Sequence, residues 1–204
     1  MLRPEPTLTV PTVEAEPAWE VALLFPAQGA WSEEDYLYLD TNHLVEFSNG
    51  TIEVLPMPSD KHQSIVFFLS ALLGAFAQKI GGKVLFAPLR LRLWPDKIRE
   101  PDLLFLADAA DPRRQNAYWT GADLVIEVVS PDDPQRDLVT KRSEYAQAGI
   151  PEYWIVDPQV ATVTVLRLDA AIYVEHGVFG RSEIATSAHY AGLAAPVSDV
   201  LDAP

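Results

Sequence analysis

The sequence predicts an α/β fold of the α+β mixed-sheet kind, and three observations carry that expectation. Two short alternating runs flank Asn49-Gly50, a strong signal for a β-hairpin. An apolar helical pattern extends from about Lys61 to Ile80. Strand-like runs follow near 84–94, 101–106 and 122–129, then a second helical pattern over 135–148 and another strand from Tyr153. The order hairpin, helix, strands, helix, strands is that of a mixed sheet with helices against it.

In chain order, the first ~30 residues carry prolines at 4, 6, 11, 17 and 26 and little periodicity. Residues 1–31 are expected to form an extended or partly disordered arm that packs on a neighbour, and 32–204 a single domain. Ser32 followed by Glu33-Glu34-Asp35 predicts a capped short helix through Leu39. Leu44–Phe47 and Thr51–Leu55 form the hairpin arms, with Glu46 and Glu53 on either side. Pro56, Pro58 and Ser59-Asp60 then break the chain and start the long helix, which Gly81-Gly82 ends. Its middle, IVFFLSALLGAFA, is apolar almost all round and is expected to be buried against the sheet. Val84 to Trp94 reads as one strand, Pro101 to Leu106 as the next, and Ala122 to Val129 as a continuous apolar strand. Gln135 to Ala148 is a helix stopped by Gly149 and Pro151. Tyr153–Val156 and Thr162–Leu168 are strands, and a further short strand or two lies between Ile172 and Leu201. No internal repeat is visible.

Composition narrows the class. A hydrophobic share of 49% and a charged share of 22% in 204 residues fit one soluble globular domain. No apolar run reaches the ~18–20 residues of a membrane span, and the first residues lack a signal-peptide core, so a cytoplasmic protein without membrane contact is expected. Cysteine is absent, which excludes disulfides and thiolate metal sites. The net charge of −14 opposes long-range attraction to nucleic acid. A locally basic cleft, or a divalent cation in an acidic pocket, would reverse that locally.

Chemistry concentrates in Glu100-Pro101-Asp102 and in the run LVIEVV, where Glu127 is the only ionisable side chain. If those strands are neighbours in register, Asp102 and Glu127 point to the same side. Hard carboxylate oxygens then suit Mg²⁺ or Mn²⁺; the structural alternative pairs Glu127 with a core Arg or Lys. Asp137 and Lys141 lie four apart on the following helix, as an exposed ion pair would. Lys141 also falls between Leu138 and Tyr145 on the apolar face, which aims its ammonium toward the acids. His62 opens the long helix as a base, ligand, phosphate contact or surface residue. Glu46 and Glu53 are each a third acid or solvent-exposed, and Tyr153, Trp154 and the Phe residues of the long helix are core. No Gly-rich phosphate loop, serine elbow or His-rich zinc spacing occurs.

The segments NGTIEVLPMPSDKHQ, REPDLLFL, ADLVIEVVSPDD, DLVTKRSEYAQAGIPEYWIVDP and YAGL together resemble the putative restriction endonuclease (Uma-type) family, of the PD-(D/E)xK nuclease superfamily. The resemblance covers roughly residues 32–202. It implies a restriction-endonuclease-like core, with the hairpin as an N-terminal extension, running helix, three strands, helix, strand. Asp102 matches the superfamily aspartate and Glu127 its second acid, and both would ligate a divalent cation with help from the Val128 carbonyl. Val129 stands where the superfamily motif has lysine, and Lys141 occupies the helix position from which this family supplies one. Asp137, Glu46 and His62 also fall on characteristic positions.

The expected activity is therefore a Mg²⁺- or Mn²⁺-dependent endonuclease acting on nucleic acid, DNA ahead of RNA. Asp102, Glu127, Lys141, Glu46 and His62 are the candidate catalytic residues, and Asp102, Glu127 and Val128 the metal-binding set. A homodimer would supply the two sites that double-strand cleavage needs. Two rival readings are a catalytically silent nuclease fold used for binding or regulation, and a hydrolase of RNA or a small nucleotide.

Overall fold

The computed structural model describes residues 25–41 and 43–204, so most of the expected arm lies outside the described residues. Its last part, from Phe25, lies against the hairpin. The Gly29 and Trp31 amides both donate to the Gly50 carbonyl, at 2.8 and 3.1 Å. Helix α1 (Glu33–Tyr38) begins as the sequence indicates: Ser32 accepts from the Asp35 amide while the Asp35 carboxylate accepts from the Ser32 amide, a reciprocal cap. Strands β1 (Val45–Ser48) and β2 (Thr51–Val54) pair antiparallel, with Glu46 opposite Glu53. Asn49 and Gly50 take φ of 47° and 80°, the left-handed pair that a tight hairpin turn requires. A Cβ on Gly50 would also sit 2.7 Å from the Gly29 carbonyl oxygen, so only glycine lets the two segments meet.

Helix α2 (Asp60–Ile80) is capped by the Ser59 hydroxyl and ends at Gly81 in the left-handed conformation. The helix is buried against the sheet as expected, but not every phenylalanine along it is core. Ile65, Val66, Leu69, Leu73 and Ala77 form the buried stripe, whereas Phe67 is 76% exposed. A helix lying on one face of a sheet covers only its i, i+3/i+4 stripe, however apolar its far side is.

The predicted strand 84–94 is in fact two strands in different sheets. Strand β3 (Lys83–Phe86) ends just before the Ala87-Pro88 peptide, and β4 (Leu91–Trp94) begins after it. Proline has no N–H to donate to a ladder, so the chain leaves one sheet and enters the other there. A three-residue strand, β5 (Lys97–Arg99), follows a turn with Asp96 at φ 63°. It is too short to show a period-two pattern, and sequence reasoning missed it. Together these make a four-stranded sheet of order β2-β1-β5-β4.

The main sheet has six strands. Beside β3 lie β6 (Leu103–Leu106), β7 (Leu124–Val128), β8 (Glu152–Asp157), β9 (Thr162–Asp169) and β10 (Ile172–Gly180), in the order β10-β9-β8-β7-β6-β3. All neighbours are antiparallel except β7 and β8. That parallel pair needs a crossover. A π-helical turn, Arg136–Lys141, running into helix α3 (Arg142–Gln147) supplies it. A small ribbon of β11 (Ile184–Thr186) and β12 (Ala194–Pro196), then helix α4 (Val197–Leu201), completes the chain.

Alternation along the strands sorts the core into two layers. Leu103, Phe105, Leu124, Ile126 and Trp154 pack with α2 and α4. Leu104, Leu106, Val125, Tyr153 and Ile155 pack with Tyr145 and Ala146 of α3. By the same parity, Asp102 and Glu127 belong to the α3 side, on neighbouring strand ends. Leu69→Ala should therefore cost about 2–5 kcal/mol by urea denaturation, while Phe67→Ser on the same helix should stay within about 0.5 kcal/mol of wild type. Equal losses would mean that α2 is enclosed on all sides.

Candidate active site

Buried at the ends of β6 and β7 is a polar cluster. Leu103 pairs with Ile126, which sets Asp102 beside Glu127. The Asp102 amide approaches Glu127 Oε2 at 3.4 Å, and the Val128 amide donates to Asp102 Oδ2 at 2.8 Å. The π-helical turn brings Asp137 and Lys141 over these strand ends. Lys141 Nζ lies 2.9 Å from Glu127 Oε1, 3.2 Å from Asp137 Oδ1 and 3.7 Å from Glu46 Oε1. The Tyr145 hydroxyl donates to the same Glu127 Oε1 at 2.6 Å. Two donors therefore hold one oxygen of Glu127 and leave the other facing Asp102. At the start of α2, His62 Nε2 lies 3.2 Å from Asp102 Oδ2. A cleft of ≈ 220 Å³ opens above Asp102, Glu127, Val128, Asp137, Lys141 and His62.

Glu46 sits behind this cleft. It is 1% exposed, against the solvent exposure weighed for a hairpin glutamate. The β1–β5 pairing explains this, because β1 is an inner strand of its sheet. Arg99 and Arg136 both donate to Glu46 Oε2, at 2.6 and 2.7 Å, and Lys141 stands beside Oε1. Arg136 also bonds Glu53, which stays on the surface. Asp137 and Lys141 are not the exposed pair that their spacing alone allowed; both are 4% exposed. All five candidate residues are thus in one network: Asp102, Glu127, Lys141 and His62 line the cleft, and Glu46 braces Lys141 from behind.

Sequence reasoning missed Arg99, Arg136, Glu144 and the hydroxyl of Tyr145. Arg99 makes a two-pronged pair with Glu144, at 2.7 and 2.8 Å, and so ties β5 to α3. The only available signal was the surplus of arginines flanking acids of the cluster. Tyr153 and Trp154 are core, as expected. The Tyr153 hydroxyl also donates to the Asp137 carbonyl, supporting the π-helical turn from below.

Electrostatics follow from burial and charge count. Four carboxylates, Glu46, Asp102, Glu127 and Asp137, surround Lys141. Burial opposes its charge, but Glu127, Glu46, Asp137 and Asp102 outweigh that and hold the ammonium well above its ordinary range. Glu46 would be raised by burial, yet Lys141, Arg99 and Arg136 hold it down to about 2. For Glu127 the balance tips the other way. Burial and the charges of Asp102 and Asp137 push it up to about 8, against the pull of Lys141 and Tyr145. Asp137 is raised by burial too, although Lys141 opposes this. Burial works against a charge on His62, but its hydrogen bond to Asp102 and the Asp102 charge prevail and raise it.

A cluster with more negative charge than its cations neutralise suits a further cation. His62 Nδ1 is buried without a hydrogen-bond partner among the described residues, and Asp137 Oδ1 has only the Lys141 ammonium, 3.2 Å away but outside hydrogen-bond geometry. An unpartnered buried atom such as His62 Nδ1 marks a place where solvent or an ion belongs. The available donors are carboxylate oxygens and the Val128 carbonyl, a hard oxygen set that fits Mg²⁺ or Mn²⁺. Among the described residues no three or more His, Asp or Glu side chains form a ready-made metal cage. Asp102 and Glu127 would need water and backbone to complete a coordination shell.

The raised Glu127 has a thermodynamic consequence. Its folded form binds a proton that the unfolded chain has released, so between about pH 4.5 and 8 wild-type stability falls as pH rises. Glu127→Gln lacks that dependence. Without metal it should melt above wild type at pH 8.5, with the difference closing toward pH 5, and it should lose the stabilisation that Mn²⁺ gives wild type. A Gln variant that melts lower at every pH would show that the carboxylate is a net stabilising partner of Lys141.

With this geometry in view, comparison with known proteins gives consistent results. The crystal structure of a "putative nuclease" from Anabaena variabilis superposes with a TM-score of 0.69 at 22% identity, covering 84% of this chain and 97% of that one. At that identity the likeness establishes the fold, a nuclease-type α/β architecture with mixed sheets. No curated protein matches the chain. The profile of the family described as "Putative restriction endonuclease" matches residues 33–198, from the first turn of α1 into α4. The chain belongs to that family, described as "Putative restriction endonuclease".

Proposed function

We propose that the cleft is the catalytic site of a divalent-metal-dependent endonuclease that hydrolyses phosphodiester bonds in nucleic acid. The observation that carries this reading is the buried Lys141 ammonium, 2.9 Å from the oxygen of Glu127 that does not face Asp102. Family membership supports a nuclease; the residues supply the mechanism. Asp102, Glu127 and the Val128 carbonyl would hold Mg²⁺ or Mn²⁺. Such an ion, when bound, supplies Lewis acidity toward the phosphoryl oxygens and a more acidic water.

The chain's own groups do the rest. Lys141 and Tyr145 fix the Glu127 rotamer, so its free oxygen is held toward Asp102 without reorganisation. Held well above its ordinary range, Lys141 stays protonated and is no general base. Its role is to donate hydrogen bonds to the attacking water or to charge developing on the phosphoryl group. Lysine at this helix position thus substitutes for the one that Val129 replaces on the strand. Glu46, with Arg99 and Arg136, positions Lys141 and touches no substrate. His62, donating to Asp102, fixes that carboxylate and keeps Nδ1 for a phosphate or leaving oxygen. DNA as substrate, in a cytoplasmic setting and with a homodimer as the assembly, is the context we favour for this chemistry. One observation favours a silent binding module instead: Lys141 already closes on Glu127, so the cluster is satisfied in part without metal.

Incubation with DNA and RNA under Mg²⁺ or Mn²⁺ tests the reading. Asp102→Asn should abolish metal-dependent cleavage while retaining the wild-type circular dichroism spectrum, and Lys141→Met should lower kcat by about 10²–10³. Cleavage that survives chelation or the Asp102→Asn change would place the chemistry elsewhere.

A further inference from the structure

The geometry points to single-stranded or locally unpaired nucleic acid, rather than duplex DNA, as the substrate this cleft accepts; the inference rests on the phosphodiesterase reading above. The reacting groups are recessed. Side chains of Asp102, Glu127 and Lys141 are 15%, 3% and 5% exposed, so a scissile phosphate must descend into the cleft. At ≈ 220 Å³ the cleft lies below the ~300–1,000 Å³ of a pocket for a drug-sized ligand. It has room for a phosphodiester group and part of an adjoining sugar.

The chemistry of the lining selects the groups that can enter beside the phosphate. Leu55, Pro56 and Met57, after the hairpin, contribute apolar surface, as do Pro131 and Pro158 from the loops after β7 and β8. Met57 is 80% exposed. Against six carboxylates the lining carries only three Lys or Arg side chains. Each of the three is already engaged: Lys61 with the Ala203 carbonyl, Arg136 with Glu46 and Glu53, and Lys141 with Glu127. A duplex presents a closely spaced row of phosphates on either side of the scissile one, and its affinity comes from cations that neutralise them. Among the described residues the cleft lining offers no further cations of that kind, and Asp132 and Asp133 stand in it instead. A single strand can lay its unpaired bases against this aliphatic wall by van der Waals contact, without aromatic stacking, while one phosphate reaches the floor.

Initial rates with Mn²⁺ on a labelled single strand, the same sequence as a duplex, a duplex with an unpaired loop, and bis(p-nitrophenyl) phosphate test this. The expected result is a kcat/KM at least tenfold higher for the single strand and the looped duplex than for the perfect duplex. Met57→Asp should raise KM for the single strand about tenfold with little change in kcat. With Lys61, Arg136 and Lys141 as the most phosphate contacts the lining offers, the logarithm of single-strand kcat/KM against that of salt concentration should have a slope no steeper than about −2.1. Duplex cleaved as fast as single strand, or a much steeper slope, would overturn the inference while leaving the nuclease reading intact. Hydrolysis of neither the small diester nor any oligonucleotide would remove both.

Discussion

A charged ammonium with almost no access to water organises the centre of this fold. Lys141 Nζ has Glu127, Asp137 and Glu46 within 3.7 Å, and each acid comes from a different element: β7, the π-helical turn itself and β1. Removing Lys141 would leave buried carboxylates unpaired, a loss that typically costs about 3–5 kcal/mol. The two sheets and the crossover helix are therefore tied together by charge as well as by apolar packing. The same arrangement leaves an excess of negative charge, most evident at Glu127, and creates the demand for a cation beside Asp102. Stability and candidate chemistry arise from one electrostatic imbalance.

The second tie is less direct and equally physical. Arg99 links Glu46 to Glu144, and Arg136 links Glu46 to Glu53, so the N-terminal hairpin is braced against the crossover helix on the far side of the cleft floor. The hairpin thus belongs to the site's support, although it precedes the nuclease core in sequence. A strand pairing as short as β1 with β5 gains its rigidity from these charged bridges as much as from its two registered residue pairs.

Much of this was legible in the chain. The cap at Ser32, the Asn49-Gly50 turn, the ends of α2 and the strand carrying Glu127 follow local rules that tertiary structure did not override. Asp102 and Glu127 could be paired because a lone acid in an apolar strand demands a partner; spacing put Lys141 on the inward face of the helix, and the resemblance made it the stand-in for the motif lysine. The features that escaped the sequence came from non-local pairing. The strand expected over 84–94 divides between two sheets at Pro88, and β5 is three residues long. The burial of Glu46 depends on that unseen strand, and with it the positions of Arg99 and Arg136. Phe67 failed differently: on a helix lying against a sheet, apolar character alone cannot say which phenylalanine faces the sheet and which faces away.

Anomalous diffraction at the manganese edge from crystals soaked in Mn²⁺ would examine the link between this charge imbalance and function most directly. The expected result is a peak flanked by Asp102 and Glu127, with Lys141 retained beside Glu127 and no peak at Glu46. Absence of any peak in the cleft, or a manganese ion held by Glu46 in place of its arginines, would contradict the assignment of Asp102 and Glu127 as the metal-binding pair.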